Sequence, residues 1–255
     1  MTPRQVIPNL FTLAAMLAGF FSILESASGD FLQAAQLIMV SMVLDGLDGT
    51  MARALKGESK IGSELDTFVD MTSFGLAPAV LAYEMVLKDF GIQGVLIASA
   101  VVLSGVYRLS RFRVIDPHRG QRGFLGMPIT VNGGWIAMWV YVTQSGVLDE
   151  EWFNLHKGPL AVFVWTCVLA FTVLQVSHIR YSKPTKDPLF LVPCILMVSL
   201  LFLGVHVGAV GALAMCSYAF LYAFVSPFIH RRHTLVVVEE EEDEEEPVEV
   251  HHWDE

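Results

Sequence analysis

The sequence predicts an all-α protein, a polytopic integral membrane bundle of about eight transmembrane helices. Hydrophobic residues make up 54% of the 255 residues and charged residues only 16%, whereas soluble domains are about one quarter charged. Apolar stretches long enough to cross a bilayer, which takes about 20 residues, recur along most of the chain. Both observations indicate a membrane protein.

Eight apolar stretches qualify as spans, and their approximate ranges are 9–28, 31–53, 62–87, 91–113, 128–147, 158–177, 187–204 and 206–229. If the N-terminus is cytoplasmic, 14 of the 16 Lys and Arg fall on that side or at helix ends facing it, and Lys88 and Lys157 do not. The positive-inside rule describes this asymmetry. It predicts a multi-pass cell-membrane protein with both termini in the cytoplasm.

The acidity of the chain belongs to its C-terminal end. Residues 239–255 hold 11 acidic residues and no Lys or Arg, and the 15 acids outside this segment nearly balance the 16 bases. Such a composition predicts a disordered acidic cytoplasmic tail over 236–255, following a transmembrane domain over 1–235. Binding of cations or of a partner by the tail is the alternative, and we expect no nucleic-acid partner.

Four aspartates interrupt the apolar pattern within LDGLDGTMARALKGESKIGSELDTFVDM, residues 44–71. A carboxylate at bilayer depth costs about 2.5–3.5 kcal/mol on insertion scales, so membrane helices avoid it. The loop ALKGESK is short, so the end of one helix and the start of the next must be neighbours at the cytoplasmic interface. With 3.6 residues per turn, Asp45 and Asp48 share one helix face, and Asp66 and Asp70 share a face of the next helix. We therefore expect four converging carboxylates.

Four neighbouring carboxylates repel one another, so a counter-charge is needed, and Arg53 alone is insufficient. Hard oxygen ligands suit Mn²⁺ or Mg²⁺, and two such ions would neutralise the cluster and assist a phosphoryl displacement. The interpretation without a metal is that the aspartates pair with Arg53, Lys56 and Lys60. A calcium loop is excluded because its ligands alternate along the chain and end in a glutamate.

The spacing of these residues matches a known sequence signature. From Asp45 the chain reads D-G-L-D-G-T-M-A-R, then eight residues, G, three residues, D, three residues and D. This pattern resembles the signature of the CDP-alcohol phosphotransferase family at every defining position. The resemblance implies a metal-dependent membrane enzyme that transfers a phosphatidyl or related group from a CDP-linked donor to an alcohol, with its active site facing the cytoplasm.

The resemblance also implies roles for individual residues. Asp45, Asp48 and Asp66 would be metal ligands, and Asp70 would be the general base, which also touches metal. The upstream stretch IPNLFTL resembles the family's Pro-Asn-x-x-Thr element, although a helix start with Pro8 in its first turn is the alternative. The CDP moiety would be held by Asn9, Thr12, Gly49, Ala52, Arg53 and Gly62.

Three further stretches, MTSFGLAPAV, YRLSRFRV and GFLGMPIT, resemble phosphatidylserine synthases of the CDP-diacylglycerol type. They imply CDP-diacylglycerol and L-serine as substrates, CMP as a product and a homodimer in the membrane lipid. Arg108, Arg111 and Ser73 are the candidates for binding the acceptor or the donor phosphate. The alternative for the arginines is contact with lipid headgroups, and for Ser73 a bond to a neighbouring helix. Arg113 stands where this subgroup commonly has Asn, and we expect it to contact headgroups.

Other functions stay open. Glycerol 3-phosphate or an inositol phosphate as acceptor would require a more basic pocket. A membrane prenyltransferase would need two Asp-rich motifs on distant helices, whereas here all four aspartates lie within 26 residues. A divalent-cation transporter would place its carboxylates near mid-membrane, and the accompanying glycines and Arg53 would have no explanation.

Overall fold

The structure is a computed structural model, and it describes residues 3–57, 59–115, 124–149, 152–181 and 203–244. Two-residue strands, β1 (Phe124–Leu125) and β2 (Arg180–Tyr181), form one short antiparallel pair. All other regular structure within these ranges is helical, so the predicted all-α membrane bundle is confirmed. The helical elements are α1 (Pro3–Ser28), α2 (Phe31–Ala54), α3 (Lys60–Asp70), a π segment (Met71–Leu76), α4 (Ala77–Met85), a 3₁₀ turn (Leu87–Phe90), α5 (Ile92–Ile115), α6 (Ile129–Gln144), α7 (Pro159–Val176) and α8 (Val205–Glu244).

The number of long apolar helices is lower than the predicted eight. Within the described ranges, five helices are long and apolar enough to cross a membrane: α1, α2, α5, α7 and the first part of α8. The span predicted at 62–87 is a helix interrupted by the π segment, and the one predicted at 128–147 is the 16-residue α6. The span predicted at 187–204 falls almost wholly outside the described residues. Helix α8 runs on into the predicted tail, whose separation from the membrane domain stays a prediction.

Helix α6 lies at the centre of the bundle. Every residue from Asn132 to Thr143 is buried, which is the pattern of a helix surrounded by other helices. It packs against α2, α4, α7 and α8. The Trp135 ring stands edge-on to those of Phe171 and Trp139, with centroids 5.2 and 5.8 Å away. The outer helices are therefore arranged around α6.

Helices α1 and α2 form the closest pair in the bundle and are joined by buried hydroxyls. Ser22 Oγ donates to the Ala34 carbonyl at 2.8 Å, and Ser41 Oγ donates to the Ala15 carbonyl at 2.9 Å. Small and hydroxylated residues of this kind let membrane helices approach closely. Because the two helices run antiparallel, the start of α1 lies beside the end of α2, where the first two aspartates are.

The turn between α2 and α3 is held by backbone and side-chain caps. Lys56 adopts a left-handed φ of 51°, and the Gly57 N–H donates to the Ala52 carbonyl at 2.9 Å. Ser59 then caps α3, since its Oγ accepts from the Gly62 N–H at 3.0 Å. The reversal brings the first turn of α3 beside the last turns of α2.

Pro8 explains how this turn docks on α1. Proline has no N–H, so the Arg4 carbonyl one turn earlier lacks its helical partner. Gly57 lies against this oxygen, in the space that a side-chain Cβ would fill. Glycine is therefore required at this close approach, which fixes the α2–α3 turn on the start of α1.

The π segment follows Asp70 directly. The Ala77 N–H donates to the Thr72 carbonyl, five residues earlier, and π segments of this kind are often found at functional sites. Ser73 within the segment is fully buried and donates from Oγ to the Ala15 carbonyl at 3.2 Å. The segment therefore ties the helix that carries Asp70 to α1.

We predict that Gly133→Ala destabilises the fold by about 1–3 kcal/mol, because the added methyl group is overpacked against backbone. A Cβ at Gly133 would lie 2.6 Å from the Phe74 carbonyl oxygen and 3.0 Å from Phe74 Cα. Thermal unfolding in detergent measures the effect. The control is Gly46→Ala in α2, where a Cβ would meet nothing within 4 Å. Equal melting temperatures for both variants would contradict the packing seen around α6.

Candidate active site

The structure brings together three of the four predicted aspartates. Asp45 and Asp48 lie in the last turns of α2, and Asp66 lies in α3. One carboxylate oxygen from each of the three lies within 4.8 Å of the others. The three side chains thus form a compact group of hard oxygen donors at the junction of the two helices.

These donors fit a hard divalent cation. Carboxylate oxygens are the ligands that Mg²⁺ and Mn²⁺ favour, and opposite ligands of an octahedral ion lie about 4.2 Å apart. A small inward movement would therefore place all three oxygens on one ion. Asp45 Oδ1 is buried and has no hydrogen-bond partner among the described residues. A buried carboxylate oxygen without a partner is costly, and a cation would compensate for it.

Asp70 does not belong to this three-carboxylate group. It ends α3, one turn after Asp66, and interacts electrostatically with both Asp66 and Asp48. The opposite charge comes from Arg108 of α5, which is buried and interacts favourably with Asp70. Asp70 is therefore influenced by the acidic group and by a buried guanidinium, an arrangement suited to a base whose protonation changes during a reaction.

Helix α1 contributes the two predicted polar residues, Asn9 and Thr12, and both are buried. Thr12 Oγ1 lies 2.5 Å from Asp48 Oδ2 and 3.1 Å from the Pro8 carbonyl oxygen. A hydroxyl carries one hydrogen, which goes to the nearer and charged acceptor. Asn9 Oδ1 lies against Gly62, where a Cβ would be 2.9 Å away. Thr12 therefore orients a metal-ligand candidate, as residues behind a metal centre commonly do.

The predicted CDP-binding residues of α2 lie beside the carboxylates. A Cβ at Gly49 would meet only the Arg53 Nη1 atom, at 3.5 Å. Arg53 is exposed and interacts electrostatically with Asp48, and Ala52 is half-buried on the same helix. This leaves open surface along α2 next to the acidic group. CDP binding by these residues stays a prediction.

Arg111 has other partners than the predicted acceptor. Its Nη1 donates to the Val176 carbonyl at 2.9 Å, and its Nη2 donates to the carbonyls of Leu125 and Gln175 at 3.0 and 3.1 Å. The last carbonyls of a helix lack intrahelical donors, and Arg111 supplies them for α7. Gly126 packs against the same guanidinium with a left-handed φ of 79°. Arg111 thus contributes to helix packing, and its predicted binding of the acceptor stays a prediction.

Ser73 also differs from its predicted place. Its hydroxyl is bonded to the Ala15 carbonyl, and its side chain packs against Gly19 of α1. It faces α1 and has no exposed surface. The alternative, a serine that satisfies a neighbouring helix, agrees with these contacts.

Tyr222 of α8 lies near Arg108 at the candidate site, and sequence reasoning did not predict it. It is buried and interacts electrostatically with Arg108, and its ring centroid lies 5.7 Å from that of Tyr181. Nothing in the sequence could have indicated this, because a tyrosine in an apolar helix far along the chain is typical of packing. The surroundings of Arg108 thus include α8 as well as α3.

Comparison with known proteins decides the family. A sequence model described as CDP-alcohol phosphatidyltransferase matches residues 5–223. The chain belongs to this family. The predicted family is therefore confirmed, and the protein is a membrane enzyme of a metal-dependent phosphotransferase family. The prenyltransferase and transporter alternatives are thereby excluded.

Individual relatives of this CDP-alcohol phosphatidyltransferase carry more specific names. It is 35% identical over 184 residues to the CDP-diacylglycerol–serine O-phosphatidyltransferase of Helicobacter pylori, a match covering 72% of this chain and 75% of the relative. The Bacillus subtilis protein of the same name is 30% identical over 180 residues, covering 71% and 92%. An archaetidylserine synthase of Methanothermobacter thermautotrophicus is 32% identical over 180 residues, covering 69% and 70%.

We predict that Asp45→Asn removes the rise in melting temperature that Mn²⁺ produces in the wild type. The metal-free variant should melt no lower than the metal-free wild type, because the substitution relieves like-charge repulsion. Thermal unfolding in detergent, with chelator and with increasing Mn²⁺, measures both effects. The matched control is Glu84→Gln, which removes a carboxylate paired with Lys88 and away from the acidic group. An unchanged Mn²⁺ response in Asp45→Asn would contradict the metal assignment.

Proposed function

We propose that this CDP-alcohol phosphatidyltransferase transfers the phosphatidyl group from CDP-diacylglycerol to L-serine and releases CMP. The observation that carries the proposal is the cluster of three carboxylates on two facing helices, which lies beside a buried arginine. The names of the relatives specify transfer to serine. The bacterial and archaeal relatives differ in the lipid that their names specify, but both names specify serine. Serine as the acceptor is therefore supported by the names of all these relatives, whereas diacylglycerol as the lipid part of the donor is supported only by the bacterial ones.

Asp70 is the proposed general base. It would accept the proton of the serine hydroxyl while the serine oxygen bonds to the phosphatidyl phosphorus and the bond from that phosphorus to the CMP oxygen breaks. Asp70 interacts unfavourably with the carboxylates of Asp66 and Asp48 and favourably with the guanidinium of Arg108. These opposing influences suit a group that must gain and lose a proton in each turnover.

Asp45, Asp48 and Asp66 are the proposed metal ligands, and Asp70, which interacts electrostatically with Asp66 and Asp48, is proposed as a further contact to the metal. The site would use Mn²⁺ or Mg²⁺, with two ions proposed from the number of carboxylates. When bound, the ions neutralise charge on the pyrophosphate and stabilise the leaving CMP. The proposed CDP contacts are residues of the surrounding helix ends: Asn9, Thr12, Gly49, Ala52, Arg53 and Gly62.

Arg108 is the proposed acceptor contact. It is buried, its guanidinium lies near Asp70 and Tyr222, and its Cζ lies 6.0 Å from the Phe112 ring centroid. A buried guanidinium forms strong paired bonds with a carboxylate, and L-serine carries one next to the attacking hydroxyl. Glycerol 3-phosphate and inositol phosphate carry a dianionic phosphate in its place, and Arg111, the neighbouring cation, is bonded to backbone carbonyls. Among the described residues, a single guanidinium beside Asp70 suits the singly charged carboxylate of serine better than a dianionic phosphate.

The candidate site and Arg113 lie at the same end of the bundle. Thr12 near the start of α1 contacts Asp48 near the end of α2, and Arg113 at the end of α5 contacts Ser63 near the start of α3. With the charge asymmetry of the sequence, this supports a cytoplasmic active site and cytoplasmic termini. The homodimer that the family resemblance implies stays a prediction.

The test is CMP release by the purified protein in detergent with CDP-diacylglycerol and Mn²⁺, adding one acceptor at a time. We expect release with L-serine and loss of release in chelator. Release with glycerol 3-phosphate or an inositol phosphate, and not with serine, would overturn the acceptor while keeping the reaction class. No release with any acceptor from folded protein would overturn the proposal.

Asp70→Asn is the variant that tests the base in the same assay. It should lower turnover by at least about 100-fold, the usual contribution of general base catalysis. Binding of CDP-diacylglycerol should persist, since Asp45, Asp48 and Asp66 remain. Retained turnover would remove Asp70 from the base role.

Arg108 and Arg111 should respond differently to the same substitution. Arg108→Gln should raise the KM for serine about tenfold or more, because a charged hydrogen bond contributes about 1.5–3 kcal/mol. Arg111→Gln should instead lower the melting temperature, since three backbone carbonyls lose a donor. Steady-state kinetics and thermal unfolding of both variants make the comparison. A kinetic defect in Arg111→Gln without loss of stability would restore the acceptor role predicted from its sequence position.

A further inference from the structure

Arg113 at the end of α5 contacts the first turn of α3. Its Nη1 donates to Ser63 Oγ at 3.0 Å and to the Ser63 carbonyl at 3.3 Å. Its Nη2 forms an ion pair with the Glu64 carboxylate. We call this set the α3–α5 clamp. We expected Arg113 to contact lipid headgroups. In the structure its guanidinium makes three contacts within the protein.

The clamp acts on the part of α3 that precedes a metal-ligand candidate. Ser63 and Glu64 follow Gly62 directly, and Asp66 lies within the next turn. On the α1 side, Asn9 packs against Gly62. The first turn of α3 is therefore held between α1 and Arg113.

Helix α3 depends on such contacts for its position. It forms the first 11 residues of the interrupted helix, so its first turn is a helix end, where helices fray. Its apolar residues Ile61 and Phe68 are exposed, and of its residues only Val69 is buried. Little core packing therefore fixes the helix, and polar contacts at its first turn matter correspondingly more.

The α3–α5 clamp is charged and partly exposed, unlike the buried apolar core. The Arg113 side chain is 21% exposed and that of Glu64 is 54% exposed. Pairs this exposed contribute little to global stability. Loss of the clamp should therefore shift the position of α3 much more than it lowers the stability of the whole bundle.

We propose that Arg113 is a positioning residue, which holds the first turn of α3 so that Asp66 stays opposite Asp45 and Asp48. It thereby sets the affinity of the site for the divalent cation and for the CDP group. This inference rests on the proposed function, because it assumes that the three carboxylates bind a cation.

The test compares Arg113→Gln, Glu64→Gln and the double variant with Lys88→Gln. The control breaks an ion pair of similar exposure, Lys88 with Glu84 at 3.5 Å, which lies away from the site. The probe is Mn²⁺ added to purified protein at a fixed high CDP concentration, with the melting temperature as readout. The half-saturating Mn²⁺ concentration is then independent of any acceptor and of turnover.

We expect Arg113→Gln to raise the half-saturating Mn²⁺ concentration about fivefold and Glu64→Gln about twofold. The double variant should resemble Arg113→Gln alone, because residues in one contact network are not additive. Arg113→Lys keeps the charge but not the forked geometry, so it should give an intermediate value. In the CMP-release assay the KM for CDP-diacylglycerol should rise with kcat within about twofold of the wild type.

Two results would overturn the clamp while leaving the proposed function intact. One is a half-saturating concentration for Arg113→Gln equal to that of Lys88→Gln. The other is a melting temperature lowered equally at every Mn²⁺ concentration, which would make Arg113 a purely stabilising residue. A wild type that does not respond to Mn²⁺ at all would overturn the metal site, and the clamp with it.

Discussion

Repulsion between carboxylates on two facing helices is the constraint on which the rest of the structure depends. At an effective dielectric constant of about 20, two charges about 4 Å apart repel by about 4 kcal/mol. Without a cation, α2 and α3 would therefore separate at the ends that carry Asp48 and Asp66. Neither helix opposes this separation by itself, because the carboxylates occupy the faces where they would otherwise pack. The restraint must come from other parts of the bundle.

Helix α1 supplies much of that restraint. It is bonded to α2 through Ser22 and Ser41, and it holds the connecting turn through the close approach of Gly57 to the Arg4 carbonyl. It is also bonded to the π segment through Ser73. Helix α1 thus packs against both helices that carry the aspartates and holds them in place. Its Thr12 side chain also donates a hydrogen bond to Asp48. The first helix of the chain is part of the site as much as the acidic motif is.

Three arginines near the end of α5 illustrate what the sequence could and could not predict. The aspartate spacing predicted the facing helices, and the structure agrees because helical periodicity fixes which residues share a face. The sequence predicted one role for Arg108 and Arg111, binding of the acceptor or the donor phosphate, and contact with lipid headgroups for Arg113. Their uses differ because the partners come from distant segments: Asp70 for the first, the end of α7 for the second and the start of α3 for the third.

The predicted eight spans exceed the five long apolar helices of the described residues for a related reason. Hydropathy measures composition, so it placed α6 correctly along the chain, but it could not show that this helix has 16 residues and lies in the middle of the others. It also could not detect the π segment, since no residue type marks a hydrogen bond between positions five apart. Tyr222 was missed because only the folded bundle brings α8 beside α5.

The π segment has a consequence for how this family can change over evolutionary time. A π turn contains one more residue than the α-helical turn it replaces, so it rotates everything after it by about one residue position, or roughly 100°. Asp66 and Asp70 before the segment therefore lie on the side of α2, while Ala77, the first residue after it, faces the core. A deletion of one residue between Met71 and Leu76 would realign the two halves and turn the face that carries Asp66 and Asp70 away from α2. A change in the length of this stretch would therefore displace the candidate site, whereas a substitution changes local contacts such as the bond from Ser73 to α1.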